Sequence, residues 1–196
     1  MTDSPIIVKV GGSLFDLPDL GVRLEAWLKT LAQSGVILIA GGGAAADVIR
    51  EMDRIHRLGE ETSHWLAVES LGLMTSLLLA VAPPSLLLFR LGAPEPAGTR
   101  EGEPSFSVQD LNAFACWDEG RPGCLPHRWD VTSDSLAARV AEVMEARELI
   151  LLKSVTIPPD MAWAEASRRD FVDGYFPTMV ARGVKARAVN LREWRP

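Results

Sequence analysis

The chain has 196 residues, 47% of them hydrophobic, which is enough apolar side chain to bury a core within the span of a single domain. A formal net charge of −6 and a pI near 5.1 argue against a general footprint for nucleic acid or anionic lipid, so any bound anion must be held by a local site. The two cysteines, Cys116 and Cys124, lack CxxC spacing and are too few for a disulfide scaffold, which points to reduced thiols in the cytoplasm and to no zinc site.

The opening MTDSPIIVKVGG carries no basic leader ahead of an apolar stretch, so no export signal is expected. Ile6-Ile7-Val8-Lys9-Val10 is a β-branched run ending in Gly11-Gly12, the pattern of a buried parallel strand entering a backbone turn. Leu20, Leu24, Trp27, Leu28 and Leu31 recur at helical spacing and predict a helix over 20–31, stopped by Gly35. A second strand, Val36-Ile37-Leu38-Ile39-Ala40, ends in Gly41-Gly42-Gly43. Helices are predicted over 44–57 and 63–82, the latter with Thr62 or Ser63 as N-cap.

Residues 71–89 carry no charge and approach the length of a bilayer span, but Pro83-Pro84 interrupts them. The expectation is a core helix ending near Ala82 and a buried strand over 85–91, with no membrane anchor. The stretch 92–104, dense in Gly, Pro and Glu, reads as a surface loop. Ser107-Val108-Gln109-Asp110-Leu111 is expected to open a short helix, and 121–128 to be irregular. A helix over 133–147 is capped by Ser133 or Asp134; Leu136, Val140, Val143 and Met144 share one face, and Ala137, Ala138 and Ala141 permit close packing. A strand over 148–153, a helix over 177–182 and a last strand over 184–191 complete the pattern. Strands alternating with helices predict an α/β fold, a three-layer αβα sandwich with a mainly parallel central sheet, as one unit over 1–196.

In such a sheet, ligands bind beyond the carboxyl ends of the strands. Both glycine clusters fall at that edge, where backbone N–H groups unobstructed by Cβ can approach phosphate oxygens. Neither a GxxxxGK[ST] loop nor a GxGxxG fingerprint is present. Lys9 stands near the end of an otherwise apolar strand, where a buried ammonium needs a compensating anion. Lys153 ends a later strand and emerges at the same edge, and Asp134 opens the alanine-rich helix. Cations that spread phosphoryl charge, N–H groups that cradle it and a carboxylate that positions the cations are the parts phosphoryl transfer requires. Arg50, Arg54 and Arg57 lie at helical spacing behind the second glycine cluster. They read as a solvated face from which Arg50 or Arg54 can reach an acceptor phosphate. His56, His64 and His127 lack metal-ligand spacing. Trp65 and Trp129 read as packing residues, either of which can also close an acceptor pocket.

Lys9-Val10-Gly11-Gly12-Ser13, Gly41-Gly42-Gly43 and Thr132-Ser133-Asp134-Ser135-Leu136-Ala137-Ala138 resemble, in order and spacing, three motifs of the amino-acid kinases. The resemblance implies a kinase using Mg-ATP, with Lys9 and Asp134 catalytic and Gly11, Gly12, Ser13, Ser133 and Lys153 on the ATP phosphates. Gly41, Gly42, Gly43, Arg50 and Arg54 would hold a small anionic metabolite. Charge and the proline break leave no nucleic-acid or membrane partner expected, while the resemblance is compatible with a homo-oligomer for which the apolar helix over 63–82 is the candidate interface, burial of that helix in the monomer's own core being the rival. Such kinases usually follow the late strand with a Val-Asp-Gly turn and a long adenine-binding segment; here Ser154-Val155-Thr156-Ile157-Pro158-Pro159 stands in its place. The short length, the Ser63-His64-Trp65 helix start and the Trp129-to-Asp134 run are similar to a compact branch. It comprises the aminomethylfuran phosphate kinases of methanofuran biosynthesis and relatives in bacterial one-carbon metabolism. Uridylate, isopentenyl phosphate and acetylglutamate-like kinases, and a non-catalytic anion binder of the same fold, are the alternatives.

Overall fold

The computed structural model describes residues 4–31, 35–83, 89–90 and 106–195. Six parallel strands form one sheet in the order β3-β4-β2-β1-β5-β6, where β1 is Ile6–Val10, β2 Val36–Ala40, β3 Phe89–Arg90, β4 Phe106–Val108, β5 Glu148–Lys153 and β6 Ala186–Asn190. Between them run helices α1 Leu20–Leu28, α2 Gly43–His56, α3 Glu60–Val81, α4 Leu111–Asp118, α5 Ser133–Val143, α6 Trp163–Arg168 and α7 Phe176–Ala181. Helices on both faces make the αβα sandwich read from the alternation of elements.

The central strands are buried on both faces, so their residues sort by parity, successive side chains pointing to opposite sides of the sheet. Ile6, Val8 and Val10 of β1, Val36, Leu38 and Ala40 of β2, and Ile150 and Leu152 of β5 pack with α1 and with Met74 and Leu78 of α3. Ile7, Ile37, Ile39, Leu149 and Leu151 face the other way, onto α4, α5, α6 and α7. By the same parity Lys9 and Lys153 belong to the α5 side. Strand β1 pairs with β5 so that Lys9 stands opposite Leu151, leaving Lys153 one same-face position further along. Helix α5 can lie close to the sheet because Ala137, Ala138 and Ala141 are small and fully packed, while burial of Leu136 contributes about 1.5–3 kcal/mol.

Several boundaries differ from the sequence reading. The segment at 107 is strand β4, with Ser107 opposite both Ile37 and Phe89; the helix waits for Asp110, whose carboxylate accepts from Asn112 N at 3.0 Å. Helix α3 starts at Glu60, three residues before the expected start at Ser63, because Gly59 (φ +83°) turns the chain into it. Of the strand expected over 85–91, Phe89–Arg90 is seen; the rest, and the loop over 92–104, lie outside the described residues. A 3-10 turn, Gly12–Asp16, follows β1, and α6 was not anticipated. Helix α3 is long and apolar enough to cross a bilayer, yet Val68, Leu71, Met74 and Leu78 are spent on the core. Leu73, Leu77 and Val81 on its outer side are exposed.

Candidate active site

At the carboxyl edge of the sheet, Lys9 Nζ donates to Asp134 Oδ1 at 2.8 Å and Lys153 Nζ to Asp134 Oδ2 at 2.7 Å. One carboxylate therefore joins the ends of β1 and β5 to the first turn of α5. Lys9 is 4% exposed and Asp134 5%. Burial by itself would raise the Asp134 pKa, but the charges of Lys153 and Lys9 and their hydrogen bonds hold the carboxyl well below the usual carboxylate range. Lys153 is shifted down, mainly by burial and further by the positive charge of Lys9, with Asp134 and Asp173 opposing. The two ammonium groups share one carboxylate, so each keeps donor capacity to offer an incoming phosphate oxygen at the edge.

The glycine clusters interlock beside this triad. A Cβ on Gly12 would lie 2.1 Å from Gly43 N and 2.4 Å from Gly43 Cα, and Gly43 itself has φ +49°, so the two turns approach backbone to backbone as only glycine permits. A Cβ on Gly41 would sit 2.9 Å from Lys9 Cε and 3.0 Å from Lys9 Nζ. Its absence gives the lysine side chain its path to Asp134. Ser13 Oγ and Ser154 Oγ are 2.8 Å apart, tying the turn after β1 to the segment after β5.

Two clefts flank the triad. One, of about 130 Å³, is lined by Gly42, Gly43, Arg50, His64, Arg128 and Trp129 among others, and reaches Thr132 and Ser133. The other, about 550 Å³ and more open, is lined by Asp134, Lys153, Phe171, Asp173 and Gly174. Arg50, Trp129 and Thr132 belong to both, so the clefts meet along a shared wall. The Arg50 guanidinium lies 5.5 Å from the Trp129 ring centroid, and Trp129 Nε1 donates to Asp53 at 2.9 Å, which fixes the indole as that wall.

The structure thus brings Lys9, Asp134, Lys153, Gly41, Gly42, Gly43, Gly11, Gly12, Ser13, Ser133 and Arg50 to one edge. Arg54 is not among them: it lies one helical turn beyond Arg50, its side chain is exposed and paired with Glu51 at 2.6 Å, and it lines neither cleft. Trp65 lines neither cleft, since it packs on His64 and His127 and donates to Glu61 at 2.9 Å. His64 and His127 stack with centroids 4.9 Å apart, and His127 bridges Glu61 and Glu119. Neither Ser133 nor Asp134 caps α5. Thr132 holds the cap position, and the acceptor is Asp173, from a loop forty residues downstream by chain order. It accepts from Thr132 N at 3.0 Å, Thr132 Oγ1 at 2.8 Å, Ser135 N at 2.9 Å and Phe176 N at 2.9 Å, and also from Ser135 Oγ. Sequence reasoning missed Asp173 and Arg128. The available signal was the triplet Val172-Asp173-Gly174, the turn sought directly after β5 and found instead beyond α6.

No protein-family model matches the sequence. Over 152 residues the chain is 28% identical to the (5-(aminomethyl)furan-3-yl)methyl phosphate kinase of Methanocaldococcus jannaschii, a match covering 76% of this chain and 65% of that relative. The matched region thus spans slightly less than two thirds of the curated relative. Among solved structures, the uridylate kinase of Archaeoglobus fulgidus superposes with a TM-score of 0.60 at 17% identity, covering 94% of this chain and 90% of that one. The UMP kinase of Ureaplasma parvum gives 0.60 at 11% identity over 97% and 91%. The carbamate kinase of Giardia lamblia bound to AMP-PNP gives 0.51 at 11% over 97% and 93%. The chain has the amino-acid-kinase fold.

Proposed function

We propose that this chain is an ATP-dependent phosphotransferase of the amino-acid-kinase superfamily acting on a small phosphorylated metabolite. The observation that carries the reading is the buried Lys9-Asp134-Lys153 triad set beside two interlocked glycine turns where two clefts meet. Lys9, on the central strand, meets the transferring group from the acceptor side; Lys153 meets it from the donor side; Asp134 keeps both ammonium groups in place against their mutual repulsion. The larger cleft, with Lys153 at its floor, suits the nucleotide. The smaller one, with Arg50, Arg128 and the Gly42-Gly43 backbone, suits a phosphorylated acceptor. Mg-ATP enters as the substrate. Its magnesium would supply charge neutralisation on the nucleotide phosphates.

For the acceptor, we propose an aminomethylfuran phosphate converted to its diphosphate. The named relative acts on such a compound, and the Trp129 face in the smaller cleft suits a flat ring. A cytoplasmic location and a role in one-carbon cofactor biosynthesis follow from this reading. So does a homo-oligomer through the exposed Leu73 and Leu77 of α3, which sedimentation showing a monomer at micromolar concentration would remove. ADP release is to be measured with aminomethylfuran phosphate, UMP, isopentenyl phosphate and N-acetylglutamate, the first expected to be fastest. Preference for UMP or the carboxylate overturns the acceptor and leaves the kinase. No turnover with any of them, and no thermal shift with Mg-ATP, favours the anion-binding alternative.

A further inference from the structure

Asp173 is a half-buried carboxylate with five hydrogen-bond donors. Four of the donors belong to Thr132 and Ser135, the residues two before and one after Asp134. The fifth, Phe176 N, opens α7, and Tyr175 N donates to Asp130 O at 2.9 Å. The loop joining α6 to α7 is docked here against the entry to α5, closely enough that a Cβ on Gly174 would lie 2.9 Å from Asp130 Cβ. One side chain therefore sets the position and pitch of the turn that carries Asp134.

It also adds charge. The groups around Lys153 are Asp134 from α5, Lys9 from β1 and Asp173 from this loop. Arg50 from α2, Asp130 ahead of α5 and Asp170 after α6 line the cleft into which Lys153 opens. With Asp134 already divided between two lysines, Asp173 makes the largely enclosed cluster two cations and two anions. We propose that Asp173 is a positioning residue of the phosphoryl-transfer site, acting through the first turn of α5 on Asp134 and through its own negative charge on Lys153. Burial, reinforced by the charge of Asp134, raises the Asp173 pKa, while its hydrogen bonds from Ser135 and Thr132 oppose that rise. Five donors hold the carboxylate in place, and removing its charge withdraws support from the Lys153 ammonium that lines the same cleft.

The chain contains only four lysines, Lys9, Lys29, Lys153 and Lys185, so 13Cε-lysine NMR resolves each one, with assignment by single Lys→Arg variants. In Asp173→Asn, the titration midpoint of Lys153 falls by about one pH unit, the scale on which a neighbouring charge moves a buried group. The alkaline limb of the kcat profile falls with it. The double variant Thr132→Val, Ser135→Ala removes two hydroxyl donors and keeps the charge; its Lys153 midpoint stays where it is in the wild type, although kcat drops. A purely structural Asp173 predicts loss of kcat in both variants and an unmoved midpoint in both, and that result overturns the proposal. If Asp173→Asn does not fold, the wild-type protein decides: the Lys153 signal must show a step at the pH where the 13Cγ signal of Asp173 titrates, and its absence overturns the proposal. The kinetic arm rests on the phosphotransferase reading and the NMR arm does not. A failed kinase assay with a shifted Lys153 midpoint therefore sinks that reading alone.

Discussion

Replacing Asp134 with asparagine keeps the volume of the side chain and removes the charge shared by Lys9 and Lys153. Both ion pairs are short, 2.8 and 2.7 Å, and all three side chains are largely withdrawn from water. Breaking a buried pair by removing one partner costs about 3–5 kcal/mol because a charge is left uncompensated, and here two cations are stranded together. Against a total stability of about 5–15 kcal/mol, that is a large fraction, and for a chain of this size it lowers Tm by roughly 6–20 °C. The sign of the pH dependence follows from the depressed Asp134 pKa. A carboxyl held below its ordinary 3.8 contributes stability that is fully present above that pH and is lost as pH falls through the folded-state value. The gap between wild type and Asp134→Asn should therefore be widest at neutral pH and close in acid.

Urea unfolding followed by tryptophan fluorescence at pH 7 and below pH 3.8 measures both quantities. Inorganic tripolyphosphate should restore part of the lost stability in the variant, since it supplies the two lysines with a replacement anion. A loss under about 1 kcal/mol at pH 7, the size of an ordinary surface pair, would refute the argument that these charges depend on one carboxylate.

Further outcomes follow from the same geometry. Lys9→Ala should lower kcat by several orders of magnitude with the fold intact, read by steady-state kinetics beside circular dichroism, because the cation is needed most in the transition state. Gly12→Ala should separate the glycine turns and abolish Mg-ATP binding in calorimetry, since a Cβ placed 2.1 Å from Gly43 N has only backbone to displace. Arg50→Ala should raise the acceptor KM by about tenfold or more, whereas Arg54→Ala, which loses only an exposed pair with Glu51, should stay within about twofold. His127 has its pKa raised: burial alone would lower it, but hydrogen bonds to Glu61 and Glu119 prevail. Its contribution to stability is thus fully present below 6.5 and is lost as pH rises through the folded-state value. In His127→Gln that loss should be missing from melting curves taken across the interval.

Composition, hydrophobic runs and turn residues were enough to determine the layers of this protein. Continuous apolar strands such as Val36–Ala40 have to be buried on both faces, and glycine at their ends has to be backbone turn. Lys9 could be singled out for the same reason, since a cation inside Ile6–Val10 has to find an anion. That its anion is Asp134 came from the resemblance of the Thr132–Ala138 run to a kinase motif and not from periodicity or composition. Asp134 looks like an N-cap from its local context, and only the β1–β5 register, the shared parity of Lys9 and Lys153 and the close approach of α5 turn it into the counter-ion of both. The actual cap, Asp173, comes from a loop whose proximity is a consequence of β6 pairing with β5 and α7 packing on α5. Long-range partners of this kind leave no periodic trace along the chain. The same holds for Ser107, whose strand exists because β2 and β3 lie on either side of it, and for Arg54, which lies one turn beyond Arg50 and pairs with Glu51 instead of lining a cleft. Local sequence determined which residues needed partners, and the packing of distant elements decided which partners they received.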